Sequence, residues 1–120
     1  MKMRIKSLYI CVNNMDRAIN FYSDFFEIKP IVRDKIYSVF EIDDFRFGLF
    51  AYKEMNETHT FGSNCLPSIE VENIGTLKKK IENLEICFPI TKIGDNYVAE
   101  FVDSEGNHIE ITATIKGKEE

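Results

Sequence analysis

Residues 12–32 read VNNMDRAINFYSDFFEIKPIV, and residues 71–91 read VENIGTLKKKIENLEICFPIT. Val12 aligns with Val71, Asn14 with Asn73, Met15 with Ile74 and Pro30 with Pro89, each pair 59 residues apart. That offset is close to half of the 120-residue chain, so the sequence reads as two copies of one plan. In each copy an asparagine precedes an apolar periodic run, where its side-chain oxygen can accept from a free backbone amide and start a helix. Met15, Ala18, Ile19, Tyr22, Phe25 and Phe26 recur at helical spacing in the first copy, and Ile74, Leu77, Ile81 and Leu84 in the second. Helices are therefore predicted over 15–26 and 74–85.

Runs of β-type residues surround both helices. They fall at 6–12, 28–33, 37–42 and 45–51 in the first half, and at 66–71, 86–93, 97–102 and 108–112 in the second. Asp43-Asp44, Gly94-Asp95-Asn96 and Ser104-Glu105-Gly106-Asn107 carry turn chemistry between strands. The polar stretch 53–64 reads as a linker and 113–120 as a fraying tail. The expected organisation is one domain, 1–120, built from modules at 3–52 and 65–112. Its expected class is α+β: two βαβββ modules forming a curved mixed sheet around a concave cavity, with the helices on the outer face. A sheet face left uncovered by helices makes a small-molecule site there the default expectation.

Composition narrows the function classes. A formal net charge of −5 argues against a nucleic-acid partner, which would need a basic patch. The local exception, Lys78-Lys79-Lys80, lies on the second predicted helix between Leu77 and Ile81 and reads as a solvated face. No apolar run approaches the roughly 20 residues of a membrane helix, so no membrane partner is expected. The opening MKMRIKSLYICV lacks a cleavable signal pattern and reads as the first strand. Cys11, Cys65 and Cys87 are odd in number and form no CxxC, which favours reduced thiols and a cytoplasmic location.

Two stretches carry a family resemblance. VNNMDRAINFY at 12–22 is similar to V-x-D-[LM]-x-x-[AS]-x-x-FY, and FVDSEGNHIEI at 101–111 is similar to F-x-D-P-x-GN-x-[IL]-E-[IL]. With the duplicated module, the chain resembles the vicinal oxygen chelate superfamily over about residues 3–112. That superfamily includes glyoxalase I, extradiol dioxygenases, fosfomycin-modifying enzymes and bleomycin-binding resistance proteins. The resemblance implies four metal-ligand positions, usually His, Glu or Gln, His and Glu. Here they fall on Ser7, Gly48, Leu66 and Glu110, so only Glu110 keeps its type. One carboxylate does not make a transition-metal site, and no metal or other cofactor is expected. Substitute donors are His59 in the linker, His108 on the strand of Glu110, Glu70 and Glu100, and the alternative metal site they offer is a non-standard one from Glu70, His108 and Glu110.

Strand alternation then proposes which side chains face the open side of the sheet. Ser7, Tyr9 and Cys11 would do so from the first strand, and Arg46, Gly48 and Phe50 from the strand at 45–51. Leu66, Ser68 and Glu70 would follow in the second module, with His108, Glu110 and Thr112. The candidate ligand-binding set is Tyr9, Arg46, Phe50, Ser68, Glu70, His108 and Glu110: rings to stack on a flat or cationic ligand, and charges to orient it. No catalytic residue is assigned. The expected function is a metal-independent small-molecule-binding protein of the glyoxalase/bleomycin-resistance type, assembled as a homodimer as the resemblance implies. The alternatives are a metal-dependent lyase or transferase of the glyoxalase I or fosfomycin-modifying type, and a non-catalytic scaffold. If the chain is an enzyme, the resemblance implies a lyase or a dioxygenase-like member.

Overall fold

The computed structural model describes residues 2–56 and 65–115, and the chain divides into two compact units, Met1–Phe61 and Gly62–Glu120. The division falls inside the stretch expected to link the two halves. In the first unit, β1 (Ser7–Cys11) leads into α1 (Met15–Phe26), followed by β2 (Tyr37–Ile42), β3 (Phe45–Phe50) and a 3-10 turn, Tyr52–Met55. The second unit holds β4 (Ser68–Val71), α2 (Ile74–Ile81), β5 (Glu85–Ile93), β6 (Asn96–Val102) and β7 (His108–Thr114). Both sheets are mixed, with orders β1-β3-β2 and β4-β7-β6-β5; β1 runs parallel to β3 and β4 to β7, and the remaining pairs are antiparallel. The class is α+β, as the periodicities require.

Both helices start where the asparagines are. Asn14 Oδ1 accepts from the Arg17 amide at 3.0 Å and Asn73 Oδ1 from the Thr76 amide at 2.8 Å, satisfying one free donor at each amino end. Helix α1 packs on the face of its sheet that carries Ile10, Phe47 and Leu49, with Ala18, Ile19 and Tyr22 buried beneath it. Helix α2 packs on β7 and β4, burying Leu77 and Ile81 in a unit whose core also holds Phe101, Ile109 and Ile111. Between β2 and β3, Asp43 and Asp44 both adopt left-handed angles, φ 49° and 67°, the geometry a two-residue hairpin demands.

Three expectations are corrected. Residues 28–33 form no strand: Val32 makes a single antiparallel bridge to Val39, so the first unit is βαββ rather than βαβββ. Glu27 ends α1 in a left-handed conformation, Pro30 has no amide to give a ladder, and Ile31 and Val32 stay exposed, so pairing there would bury little. Helix α2 stops at Ile81 rather than 85, because the Leu84 amide closes a turn onto the Ile81 carbonyl and Glu85 is already paired with Val102. Apolar spacing alone had carried Leu84 into the helix. Ala113 and Thr114, expected to fray, continue β7 against Tyr97 and Asn96. Residues 57–64 of the linker, with His59, and 116–120 of the tail lie outside the described residues.

Candidate functional site

In the first unit, the face opposite α1 is aromatic. Register places Tyr9 beside Gly48, Cys11 beside Phe50 and Ser7 beside Arg46, while Tyr37 pairs with Phe50 across the hairpin. Tyr9, Phe50 and Tyr37 thus converge on one surface. The Tyr9 ring meets Phe50 edge-on at 5.3 Å and Tyr37 edge-on at 6.1 Å, with interplanar angles of 71° and 84°. These are favourable quadrupole geometries, each contributing about 0.5–1.5 kcal/mol beyond burial. Tyr9 nonetheless keeps 52% of its surface exposed, which is large for an aromatic side chain. Arg46 sits half-buried on the same face at the other end of β3, opposite Glu41 on β2. A flat or cationic ligand could lie against these rings without any rearrangement of the sheet.

Tyr37, absent from the expected set, decides what this face can hold. Its ring lies over Gly48. A Cβ at position 48 would run into the Tyr37 hydroxyl and stand only 2.7 Å from its Cζ, so the sheet accommodates the ring there because residue 48 has no side chain. Asp34 holds the start of β2 in place: its carboxylate accepts from the Ile36 amide at 2.9 Å and the Tyr37 amide at 3.4 Å. The Ser38 hydroxyl donates to the Asp34 carbonyl at 2.9 Å and accepts from the Asp34 amide at 3.0 Å. Amide donation from Ile36 and then Tyr37 holds the Asp34 carboxyl below its usual range. Alternation along β2, with a two-residue turn fixing its register to β3, is the signal that puts Tyr37 beside Phe50.

The metal positions implied by the resemblance can be tested on this geometry, unit by unit. In the first, Ser7 is exposed and Gly48 offers no donor, and the space a carboxylate at 48 would enter is taken by Tyr37. In the second, Leu66 is a hydrocarbon lying before β4 begins, and Glu110 accepts a 2.6 Å hydrogen bond from the Ser68 hydroxyl of the neighbouring strand. The donor set does not fit the divalent metal that the superfamily holds at these positions.

The second unit's open face is polar. Ser68 pairs with Glu110 and Glu70 with Thr112 along β4–β7, and Glu100 pairs with Glu110 along β6–β7. Glu70 Oε2 accepts from the Thr114 hydroxyl at 3.3 Å. His108 does not join Glu70 and Glu110 in a donor cluster; it stands instead with Cys87 and Glu100, their donor atoms all within 4.8 Å of one another. Partial desolvation by its neighbours, and then the negative charge of Glu100, push the Cys87 thiol up from its ordinary value. The turn before β7, DSEGN, is internally knitted: Asp103 Oδ1 accepts from the amides of Glu105 and Asn107, each at 2.8 Å, and Gly106 takes φ 91°. These motif residues set the turn that launches β7. Their role is structural.

A further cleft of about 540 Å³ lies at the amino end of α1, lined by Asn14, Asp16, Arg33, Asp34, Lys35 and Glu54 among others. Its charges pair across the surface, Arg33 with Asp16 at 3.3 Å and Lys35 with Glu54 at 3.4 Å. Such exposed pairs contribute about 0–1 kcal/mol.

No family model matches the chain, and no curated protein matches it in sequence. Solved structures do. A glyoxalase/bleomycin resistance protein/dioxygenase family enzyme from Burkholderia phytofirmans PsJN is similar over 93% of this chain and 99% of its own, with a TM-score of 0.78 at 16% identity. A lactoylglutathione lyase from Agrobacterium tumefaciens covers 93% and 94%, TM-score 0.75, at 15% identity. A glyoxalase/dioxygenase from Nostoc punctiforme covers 94% and 92%, TM-score 0.73, at 14% identity. At such identities the likeness is one of fold, and the chain has the fold of the glyoxalase/bleomycin resistance/dioxygenase proteins. No described helix is long and apolar enough to cross a membrane.

Proposed function

We propose that this protein is a metal-independent small-molecule-binding protein of the glyoxalase/bleomycin-resistance type. The observation that carries the proposal is the Tyr37 ring over Gly48: where the superfamily places a metal-binding carboxylate, this chain presents aromatic surface. Tyr9, Phe50 and Tyr37 supply the stacking face and Arg46 a charge to orient an anionic group on the ligand. In the second unit Ser68, Glu70, His108 and Glu110 offer hydrogen-bonding partners of the kind that fix orientation in small-molecule sites. A metal-dependent lyase or transferase would need donors that Ser7, Gly48 and Leu66 do not provide. The protein acts as a homodimer in the cytoplasm, where its cysteines, none of them in a disulfide among the described residues, stay reduced.

The test is a thermal-shift screen of chelator-treated protein against antibiotics, aromatic metabolites and glutathione conjugates. A ligand at 100 times its dissociation constant stabilises the native state by about 2.7 kcal/mol, a shift of several degrees in Tm. Tyr9→Ala should weaken such a ligand several-fold. No shift with any compound, or a shift that appears only after metal is restored, overturns the proposal. Light scattering that finds a monomer at tens of micromolar would remove the homodimer.

A further inference from the structure

The geometry points to a site for a zinc-type divalent ion on the second unit's sheet, formed by Cys87 Sγ, a carboxylate oxygen of Glu100 and an imidazole nitrogen of His108. The three residues come from three successive strands of the sheet, β5, β6 and β7, and their donor atoms lie within 4.8 Å of one another. A bulge brings the thiol in. Ile86 pairs with Phe101 and Phe88 with Glu100, so β5 advances two residues while β6 advances one, and Cys87 is the extra residue standing against Glu100. On the other side of β6, His108 pairs with Val102, two residues from Glu100 and therefore on its face. None of the three occupies a metal position that the superfamily resemblance implies; those fall on Ser7, Gly48, Leu66 and Glu110.

The donor types select the ion. A thiolate, an imidazole and a carboxylate suit Zn²⁺ or its spectroscopic substitute Co²⁺, whereas Mg²⁺ and Ca²⁺ prefer all-oxygen sets. Three protein donors leave one position of a tetrahedral ion for water or an external donor. Cys87 is exposed and Glu100 and His108 are half-buried, so an ion reaches them without opening the fold. Binding displaces the thiol proton, which makes it tighter as pH rises. The site shares His108 with the small-molecule proposal but none of the first unit's rings, and uptake of the metal alone reports on it whether or not a small molecule binds.

Reduced, metal-free protein titrated with Zn²⁺ alone, and with Co²⁺ alone, tests it. One ion per chain is expected, with a thiolate-to-metal charge-transfer band in the Co²⁺ form. Cys87→Ser should abolish the band. Cys87→Ser and His108→Gln should each weaken Zn²⁺ on the order of tenfold or more, since even outer-shell changes cost that much at metal sites. Cys11→Ser and Cys65→Ser should change neither. A second arm uses the unmutated chain: one equivalent of Zn²⁺ should protect Cys87 from alkylation while Cys65 labels at its original rate. No uptake of Zn²⁺, uptake that survives both Cys87→Ser and His108→Gln, or an unprotected Cys87 overturns the site.

Discussion

The two units share a plan and diverge on the face opposite the helix. In the first, Tyr9, Tyr37 and Phe50 cover that face with rings; in the second, the matching strands carry Ser68, Glu70, Glu100, His108, Glu110 and Thr112. The helix sides are far more alike, since each must bury an apolar stripe against a sheet. A duplicated module is thus free to vary only where packing does not constrain it. The prolines show the same freedom. Pro30 lies in a segment that makes only one bridge, whereas Pro89 lies within edge strand β5, beside its second register shift. Only the second arrangement yields a full strand there, and with it the bulge that turns Cys87 toward Glu100.

If the cores are equivalent in kind, equal truncations should cost equally. Phe40 in the first unit and Phe101 in the second are both fully buried. Phe40 touches Tyr22 and Phe26 in an aromatic cluster, while Phe101 shares its unit's core with Ile109 and Ile111. Phe40→Ala and Phe101→Ala should each lose about 3–5 kcal/mol in urea unfolding. A loss below about 1 kcal/mol at either site would mean that its unit's core closes around the cavity, and the claim of equivalence would fail.

A smaller effect probes the aromatic face. Gly48→Ala drives a methyl into the Tyr37 ring and should cost about 1–3 kcal/mol, the usual range for overpacking. In a Tyr37→Ala background the same change should be neutral or slightly stabilising, because residue 48 has no positive φ that requires glycine. The two substitutions are in contact, so their effects should be strongly non-additive. Additive losses would show that Tyr37 does not occupy the space above Gly48 in solution.

Much of this was legible in the sequence because local chemistry and periodicity agreed. Helix α1 spans the predicted residues, since Asn14 caps it and its apolar spacing stops where Glu27 turns left-handed. The expected open-face residues of β3 and β7 fall on the expected side because the side-chain period of a strand is two. What failed was whatever depends on pairing. Nothing local says that 28–33 makes no more than a single bridge, or that Glu85 belongs to β5. Tyr37 was missed because its importance comes from the absent side chain across the hairpin. Cys87, Glu100 and His108 are separated in sequence, and a bulge beside a proline resets the alternation that would have related them.

The smallest effect concerns what holds Tyr37 in place. Asp34 accepts from the Ile36 and Tyr37 amides, and those bonds exist at full strength only while the carboxylate is charged. Its folded pKa lies below the ordinary value of 3.8, so the folded state binds that proton less readily than the unfolded chain does. The sign follows: the contribution is present above the unfolded pKa and is lost as pH falls through the folded one. Asp34→Asn should therefore lower Tm slightly at neutral pH, and the gap between variant and parent should narrow as pH drops below about 4. A gap for Asp34→Asn that stays constant down to pH 2 would show that the amides are held by shape, and that charge at Asp34 plays no part in seating the ring.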